Sequence, residues 1–177
     1  MKNTGLRLTI REIALLGMMV AVIEVCKVVM MGLPNIELTT FWIIMFTLFF
    51  GKRILFVIPV FILIEGAMFG IHIWWIMYLY VWPLLAFITY LMKKNDKPLF
   101  WAILSSAFGF LFGFFCAIPY VVIGTASGGF INGLYAGFVW WIAGIPWDIV
   151  HGIGNFVLML VLYGPVKKTM RLIKIIE

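Results

Sequence analysis

Six polar side chains interrupt long apolar runs of this sequence and are the residues best able to do chemistry. Five are ionisable and one is a neutral amide: Glu24, Lys27, Glu65, Asp148, His151 and Asn155. An ionisable group inside an apolar helix is costly unless it pairs internally or serves a function. Each of the six is therefore a candidate for ligand binding or proton transfer, with internal pairing as the alternative.

Asp148, His151 and Asn155 have the spacing i, i+3 and i+7, which places them on one helical face. Counting about 1.5 Å per residue back from Tyr163 puts Asp148 about 22 Å and His151 about 18 Å from the inner end of the segment. A polar stripe at this depth needs a polar partner. It predicts a ligand site or a proton relay, or alternatively an Asp–His hydrogen bond that ties the helix to its neighbours.

The other ionisable residues lie in earlier segments. Glu24 and Lys27 are three residues apart on one predicted helix, which favours an ion pair between them over a ligand contact. Glu65 has no partner within its own segment and lies about 16 Å along the helix from Ile54. It must face protein or a cavity, so a binding role and a structural hydrogen bond both stay open.

Aromatic residues accompany these groups. Trp74, Tyr78 and Trp82 follow one another at i, i+4 and i+8. An aromatic belt at the membrane surface explains Trp74 alone, but Tyr78 and Trp82 lie deeper than such a belt. They are predicted to wall a pocket that takes a planar ring or a cation. Glu37, from the first external loop, completes the predicted binding set.

The composition places these residues in a membrane. Of the 177 residues, 65% are hydrophobic and 11% charged, which excludes an ordinary water-soluble domain. A spanning helix needs about 20 apolar residues. We expect one all-α transmembrane domain over residues 1–177, with six helices at about 10–31, 38–50, 54–71, 74–92, 99–123 and 135–163. Pro146 predicts a kink, or an outer portion of the last helix above the membrane.

The basic residues predict the orientation. With six crossings, all thirteen Lys and Arg residues except Lys27 fall on one side. The positive-inside rule then places both termini in the cytoplasm of a multi-pass cell-membrane protein. The opposite side receives polar loops near 32–37, 71–73 and 124–134. The net charge of +6 thus reflects topology, and we expect no nucleic-acid partner.

Motifs for catalysis are missing from the sequence. No phosphate-binding G-x-x-x-x-G-K-[ST] loop, no H-E-x-x-H and no G-x-S-x-G occurs. Cys26 and Cys116 lie in apolar runs and are interpreted as packing residues. We therefore expect no enzyme, no metal site and no cofactor. A membrane enzyme using Asp148 and His151 as an acid–base pair is a less favoured alternative.

Small residues near the N-terminus complete the pattern. Ala14, Gly17 and Ala21 form a stripe that permits close helix approach, and Gly109 and Gly113 form a second step that we assign to internal packing. The protein resembles the substrate-binding S-components of energy-coupling factor (ECF) vitamin transporters. The resemblance rests on this stripe, on the short six-helix chain and on the segments "LPNIELTTFWIIMFTLFFGKR" and "EGAMFGIHIWWIMYLYVW".

The resemblance implies a function and partners. In that family the first-helix stripe meets a transmembrane coupling subunit driven by two cytoplasmic ATPases, a vitamin-like molecule binds in the outer half, and the subunit releases it by toppling in the lipid bilayer. Ala14, Gly17 and Ala21 match the stripe, although Gly17 stands at the first position of the usual A-x-x-x-A step.

The predicted pocket chemistry points to a class of ligand. Carboxylates and a histidine disfavour a strongly anionic substrate and suit a neutral or protonated nitrogen heterocycle with hydroxyl groups. Pyridoxine-like or hydroxymethylpyrimidine-like compounds and thiamine fit. The alternative function is a stand-alone proton-coupled carrier that uses Glu65, Asp148 and His151 as a relay.

Overall fold

The fold is a bundle of helices. A computed structural model describes residues 8–176, and side chains over residues 8–172, and this part of the chain contains no strand. A 3-10 turn, Gly51–Arg53, follows the second helix. The helices are α1 (Ile10–Met30), α2 (Thr39–Phe50), α3 (Ile54–Phe69), α4 (Ile73–Met92), α5 (Pro98–Phe110), α6 (Phe112–Cys116), α7 (Ile118–Gly128) and α8 (Phe130–Ile176).

Several of these helices are long and apolar enough to cross a membrane. Four continuous helical runs in the described chain pass this test, and the bent pair Pro98–Phe110 and Phe112–Gly128 makes a fifth. The sequence predicts six crossings. The difference arises at Thr39–Phe69, which is one helical run of 31 residues by length although it contains both α2 and α3.

Contacts between side chains give the directions of the first helices. Arg53, just before α3, pairs with Glu12 in the first turn of α1 at 2.6 Å. Lys27, in the last turn of α1, pairs with Glu65 near the end of α3. Because one ion pair joins the two beginnings and the other joins the two ends, α1 and α3 run parallel.

The helix between them runs the opposite way. Trp42, at the start of α2, donates its indole N–H to Cys26 Sγ near the end of α1, at 3.2 Å. The chain then reverses at Gly51, whose φ of +58° is strained for any residue with a side chain. The Thr39–Phe69 run is therefore a helical hairpin, and α2 lies antiparallel to α1 and α3.

The last helices complete the bundle. Asp96, before α5, pairs with Lys167 late in α8, whereas Ser105 further along α5 accepts a hydrogen bond from Asn155 earlier in α8. These contacts make α5 and α8 antiparallel. We call the end of the bundle where α1, α3 and α5 begin the basic end. Its described cations are Arg11, Lys52, Arg53, Lys93, Lys94, Lys97, Lys167, Lys168 and Arg171, while Lys2 and Arg7 and the Lys174 side chain lie outside the described residues.

The opposite end, which we call the site end, differs from the sequence-based expectation. The apolar run predicted at 99–123 comprises three helices, α5 to α7, and α8 extends well beyond the predicted 135–163 without a break at Pro146. The predicted external loop at 124–134 is helical except at Gly129, whose φ is +85°. At 47 residues, α8 is about 70 Å long, and its first part packs against α7, where Trp140 stacks on Tyr120.

Candidate functional site

The helical path is interrupted between α5 and α6, next to the candidate site. Leu111 leaves helical geometry (φ −97°, ψ 3°), and α6 restarts at Phe112. The first backbone N–H groups of a helix lack partners within it. Gly113 N–H, in the first turn of α6, donates to Asp148 Oδ1 of α8 at 2.9 Å. Asp148 thus satisfies an N–H group that the break exposes.

Gly113 is required by this contact. A Cβ atom at position 113 would lie 2.4 Å from Asp148 Oδ2, so any side chain there would displace the Asp148 carboxylate. Gly109, one turn earlier, also lies close to α8, since a Cβ atom added at position 109 would lie 2.8 Å from the Cα of Gly152. The predicted internal packing of the Gly109–Gly113 step is confirmed, and it presses α5 and α6 against the polar face of α8.

The larger cavity at the site end has a volume of about 670 Å³ and lies beside Asp148. Five of its lining residues are aromatic, namely Trp74, Tyr78, Phe112, Trp140 and Trp147, and the others besides Asp148 are Met77, Gly113, Cys116, Ala143, Gly144, Pro34 and Asn35. The Asp148 residue is only 6% exposed, and its Oδ2 accepts no hydrogen bond from the described chain. The cavity thus combines flat apolar walls with one carboxylate that has an unused acceptor.

A smaller cavity of about 280 Å³ lies next to it and carries more charge. Lys27, Glu37 and His151 line it, and Tyr78 and Phe112 belong to the walls of both cavities. His151 Nε2 lies 3.5 Å from Glu37 Oε1, and Thr39 Oγ1 donates to Glu37 Oε2 at 3.1 Å.

Glu37 stays ionised in this setting. It lies in the connection between α1 and α2, outside the spanning segments. Burial raises the pKa of Glu37, but the contact with His151 and the charges of His151 and Lys27 outweigh burial and leave that pKa below its ordinary value.

Lys27 occupies an aromatic cage between α1, α3 and α4. Its ammonium group pairs with Glu65, donates to Tyr78 Oη at 3.2 Å and lies 4.9 Å from the centre of the Tyr78 ring. The rings of Phe61, Phe69 and Trp74 lie within 6 Å of it. The rings of Trp74 and Tyr78 thus already contact a cation, which is the protein's own Lys27 ammonium group.

The predicted Glu24–Lys27 ion pair is wrong. Lys27 points to Glu65 on the neighbouring helix, and both carboxylate oxygens of Glu24 lack a hydrogen-bond partner in the described chain. Three-residue spacing on a helix permits a pair, but the Lys27 ammonium group instead crosses the α1–α3 interface to Glu65. Glu65, 1% exposed, thus has a structural partner, and its Oε1 accepts no hydrogen bond within the described chain.

Three of the predicted site residues line neither cavity: Glu65, which pairs with Lys27, Trp82 and Asn155. Trp82 is fully buried, with its ring 5.3 Å from that of Tyr78 and 5.6 Å from that of Phe112, and lines neither cavity. Asn155 is 2% exposed and donates to the Ser105 carbonyl at 3.3 Å, also away from both cavities. Trp82 lies one helical turn closer to the basic end than Tyr78, and Asn155 lies one turn closer than His151.

The predicted residues therefore separate into groups. Trp74, Tyr78 and Asp148 meet at the larger cavity, and Glu37 and His151 meet Tyr78 at the smaller one. Asp148 and His151 share a face of α8, as predicted, but each has a different partner from another element. The predicted alternative of a direct Asp148–His151 bond is not what the structure contains.

Sequence reasoning missed several residues of the larger cavity. Cys116, interpreted as a packing residue, is buried and also lines that cavity. Phe112 and Gly113 were not proposed as cavity residues because their role depends on the break at Leu111. A glycine flanked by phenylalanines was the one local signal of a close approach at this point.

The predicted coupling stripe is on the outside of the bundle. Ala14, Gly17 and Ala21 are all exposed, and a Cβ atom at position 17 would meet no atom within 4 Å. The described chain therefore does not use this close-approach surface for its own packing.

Neither a metal site nor a known relative accounts for the cavities. Within the part of the chain that the structure describes, no group of three or more His, Cys, Asp or Glu residues is placed to hold a metal ion. The chain matches no protein-family model, no curated protein and no solved structure. Function is therefore inferred from the chain's own geometry.

Proposed function

We propose that this chain is a membrane-embedded substrate-binding subunit that captures a small nitrogen heterocycle at its site end. The observation that carries this proposal is the pairing of a 670 Å³ aromatic-walled cavity with a buried carboxylate oxygen, Asp148 Oδ2, that has no partner in the described chain. Cavities of several hundred cubic ångströms with apolar walls and few polar groups are typical of small-molecule sites.

The charges at the site end favour a donor-rich or cationic ligand. Glu37 and Asp148 are the acidic residues that line the two cavities, and the one lysine among the lining residues already pairs with Glu65. An N–H or cationic nitrogen can supply what Asp148 Oδ2 lacks, while the ring stacks on indole or phenol walls. Pyridoxine-like, hydroxymethylpyrimidine-like and thiamine-like molecules combine these properties, and a phosphate ester does not.

We further propose six crossings with both termini in the cytoplasm. The hairpin at Gly51 divides Thr39–Phe69 into two oppositely directed helices, and the bent α5–α7 path supplies one more crossing. Nine described cations lie at the basic end, where the positive-inside rule expects the cytoplasm. With the exposed Ala14–Gly17–Ala21 stripe, this arrangement supports delivery through an ECF coupling subunit and two ATPases at the cell membrane.

Native mass spectrometry of the chain purified in mild detergent from cells grown in rich medium tests the capture step. A small heterocycle bound in stoichiometric amount, lost in Asp148→Asn and kept in Glu12→Gln, is the expected result. The Asn variant keeps an oxygen for Gly113 N–H but removes the charge. Glu12→Gln removes one charge at the basic end. A ligand that Asp148→Asn retains with unchanged occupancy would overturn the assignment of this cavity.

A proton-coupled carrier is the second candidate. The observation that favours it is the cluster of Glu24, Glu65 and Lys27, in which Glu65 pairs with Lys27 and a second buried carboxyl group, Glu24, lies one helical turn from Lys27. Uptake into liposomes that contain this chain alone, driven by a proton gradient, would support the carrier. Uptake that requires the coupling subunit and ATP supports the binding subunit.

A further inference from the structure

A separate hollow at the basic end is lined by more cationic than acidic side chains of the described chain. It has a volume of about 270 Å³ and is lined by Lys93, Asn95 and Asp96 before α5, by Tyr163, Lys167 and Arg171 of α8, and by Leu48 and Phe49 of α2. This hollow lies at the opposite end of the bundle from the proposed substrate cavity and does not depend on it.

The hollow is lined by three cationic side chains and one acidic side chain. Asp96 is the one acidic residue in its lining; it pairs with Lys167 and lies 3.9 Å from Arg171. Lys93 lies 3.9 Å from the centre of the Tyr90 ring and has no carboxylate partner among the described residues. Three cations against one carboxylate leave two positive charges directed at the same space.

The pairing with Lys167 keeps Asp96 ionised. The hydrogen bond from Lys167 lowers the pKa of Asp96 and outweighs the small opposing effect of burial, and the charges of Lys167 and Arg171 add to it. Asp96 therefore neutralises one cation at neutral pH, and the surplus of two persists.

The position of the hollow favours a lipid over a soluble anion. It opens where α2 and α4 end and α5 begins, which is the membrane boundary if these helices span. Leu48 and Phe49 give one wall an apolar, half-buried surface, whereas the cations lie on the other walls. An anionic phospholipid presents this combination, with a phosphate group above hydrocarbon, and basic pockets between transmembrane helices bind such headgroups.

We propose that this hollow binds the phosphate group of an anionic phospholipid. Lys93, Lys167 and Arg171 hold the headgroup, and Leu48 and Phe49 contact the upper part of the acyl chains. Asp96 orients Lys167 and limits the affinity by its own negative charge.

Lipid retention in native mass spectrometry tests the proposal, with the full chain titrated with phosphatidylglycerol or phosphatidylcholine. Lys93→Gln/Lys167→Gln/Arg171→Gln should weaken phosphatidylglycerol binding by roughly tenfold or more, since each cation near an anionic lipid contributes to binding. The matched control Lys94→Gln/Lys97→Gln/Lys168→Gln removes the same charge at the same end from exposed residues outside the hollow. It should retain most of the binding.

A second variant separates a specific site from a misfolded protein. Asp96→Asn removes the competing carboxylate and should strengthen phosphatidylglycerol binding, which loss of structure cannot do. Equal losses in the two triple variants, or unchanged binding in both, would overturn the proposal. Competition by inorganic phosphate or glycerol 3-phosphate at the same affinity would assign the hollow to a soluble phosphate and overturn the lipid assignment.

Discussion

The Lys27–Glu65 pair gives the sharpest test of how the bundle is held together. It joins the ends of α1 and α3, with the Glu65 side chain 1% exposed and that of Lys27 18% exposed. Removing one partner of a buried pair costs about 3–5 kcal/mol because the remaining charge is left without compensation. The partial exposure of Lys27 favours the lower limit, about 3 kcal/mol.

That cost can be measured as a change in melting temperature. For a chain of this length, about 1 kcal/mol corresponds to a shift of roughly 2–4 °C. Glu65→Leu and Lys27→Met should therefore each lower the melting temperature in detergent by about 6–12 °C. The double variant Lys27→Met/Glu65→Leu removes both charges and should recover most of the loss, since an apolar replacement of a buried pair is often close to neutral.

Glu24→Leu is the matched control. Glu24 lies one turn from Lys27 on α1 and is buried, but its oxygens have no hydrogen-bond partner in the described chain. Its replacement should not lower the melting temperature and should not be rescued by Lys27→Met. If Glu65→Leu melts like the unchanged chain, or if the single losses simply add in the double variant, the pair does not hold α1 to α3.

Three further predictions concern the stripe, the helix break and the smaller cavity. Gly17→Leu should leave the melting temperature unchanged, since no atom lies within 4 Å of its added Cβ; under the proposed function it should also abolish co-purification with a coupling subunit. Gly113→Ala should lower stability by about 1–3 kcal/mol and reduce ligand occupancy, because the methyl group displaces Asp148; thermal melting with and without ligand measures both. Glu37→Gln should destabilise the chain at neutral pH. Because the pKa of Glu37 is lowered, its carboxylate stabilises the fold above the ordinary pKa of 4.5, so the melting difference from the unchanged chain should disappear as the pH falls below that value and through the lowered pKa.

Helical spacing predicts a face of a helix better than the partner of that face. The i, i+3, i+7 pattern correctly places Asp148, His151 and Asn155 together on α8. Their partners are a backbone N–H of α6, a carboxylate before α2 and a carbonyl of α5. These three elements are distant in sequence, and no local pattern in α8 encodes which of them faces which residue.

The same limit explains why the predicted ion pair between Glu24 and Lys27 is wrong. Glu24 and Lys27 satisfy the local rule for a helical pair, so a single-helix argument joins them. The lysine side chain reaches the adjacent helix as easily as its own, and there it finds Glu65 together with the rings of Phe61 and Tyr78. Competition between local and tertiary partners is decided by packing, which the sequence pattern does not contain.

The helix break is the step that turns a packed bundle into one with a binding cavity. An unbroken helix from α5 to α7 would have used the Gly113 N–H in its own backbone ladder, and Asp148 would have been buried without that donor. The break at Leu111 frees the N–H and anchors one oxygen of Asp148, and the other oxygen stays buried and unpaired in a residue that lines the larger cavity. A carboxylate held by one atom is positioned without being neutralised, which is what a site for a donor-bearing ligand requires. For this reason Asp148→Asn, which keeps the anchor and removes the charge, separates binding from folding more cleanly than a variant that loses both.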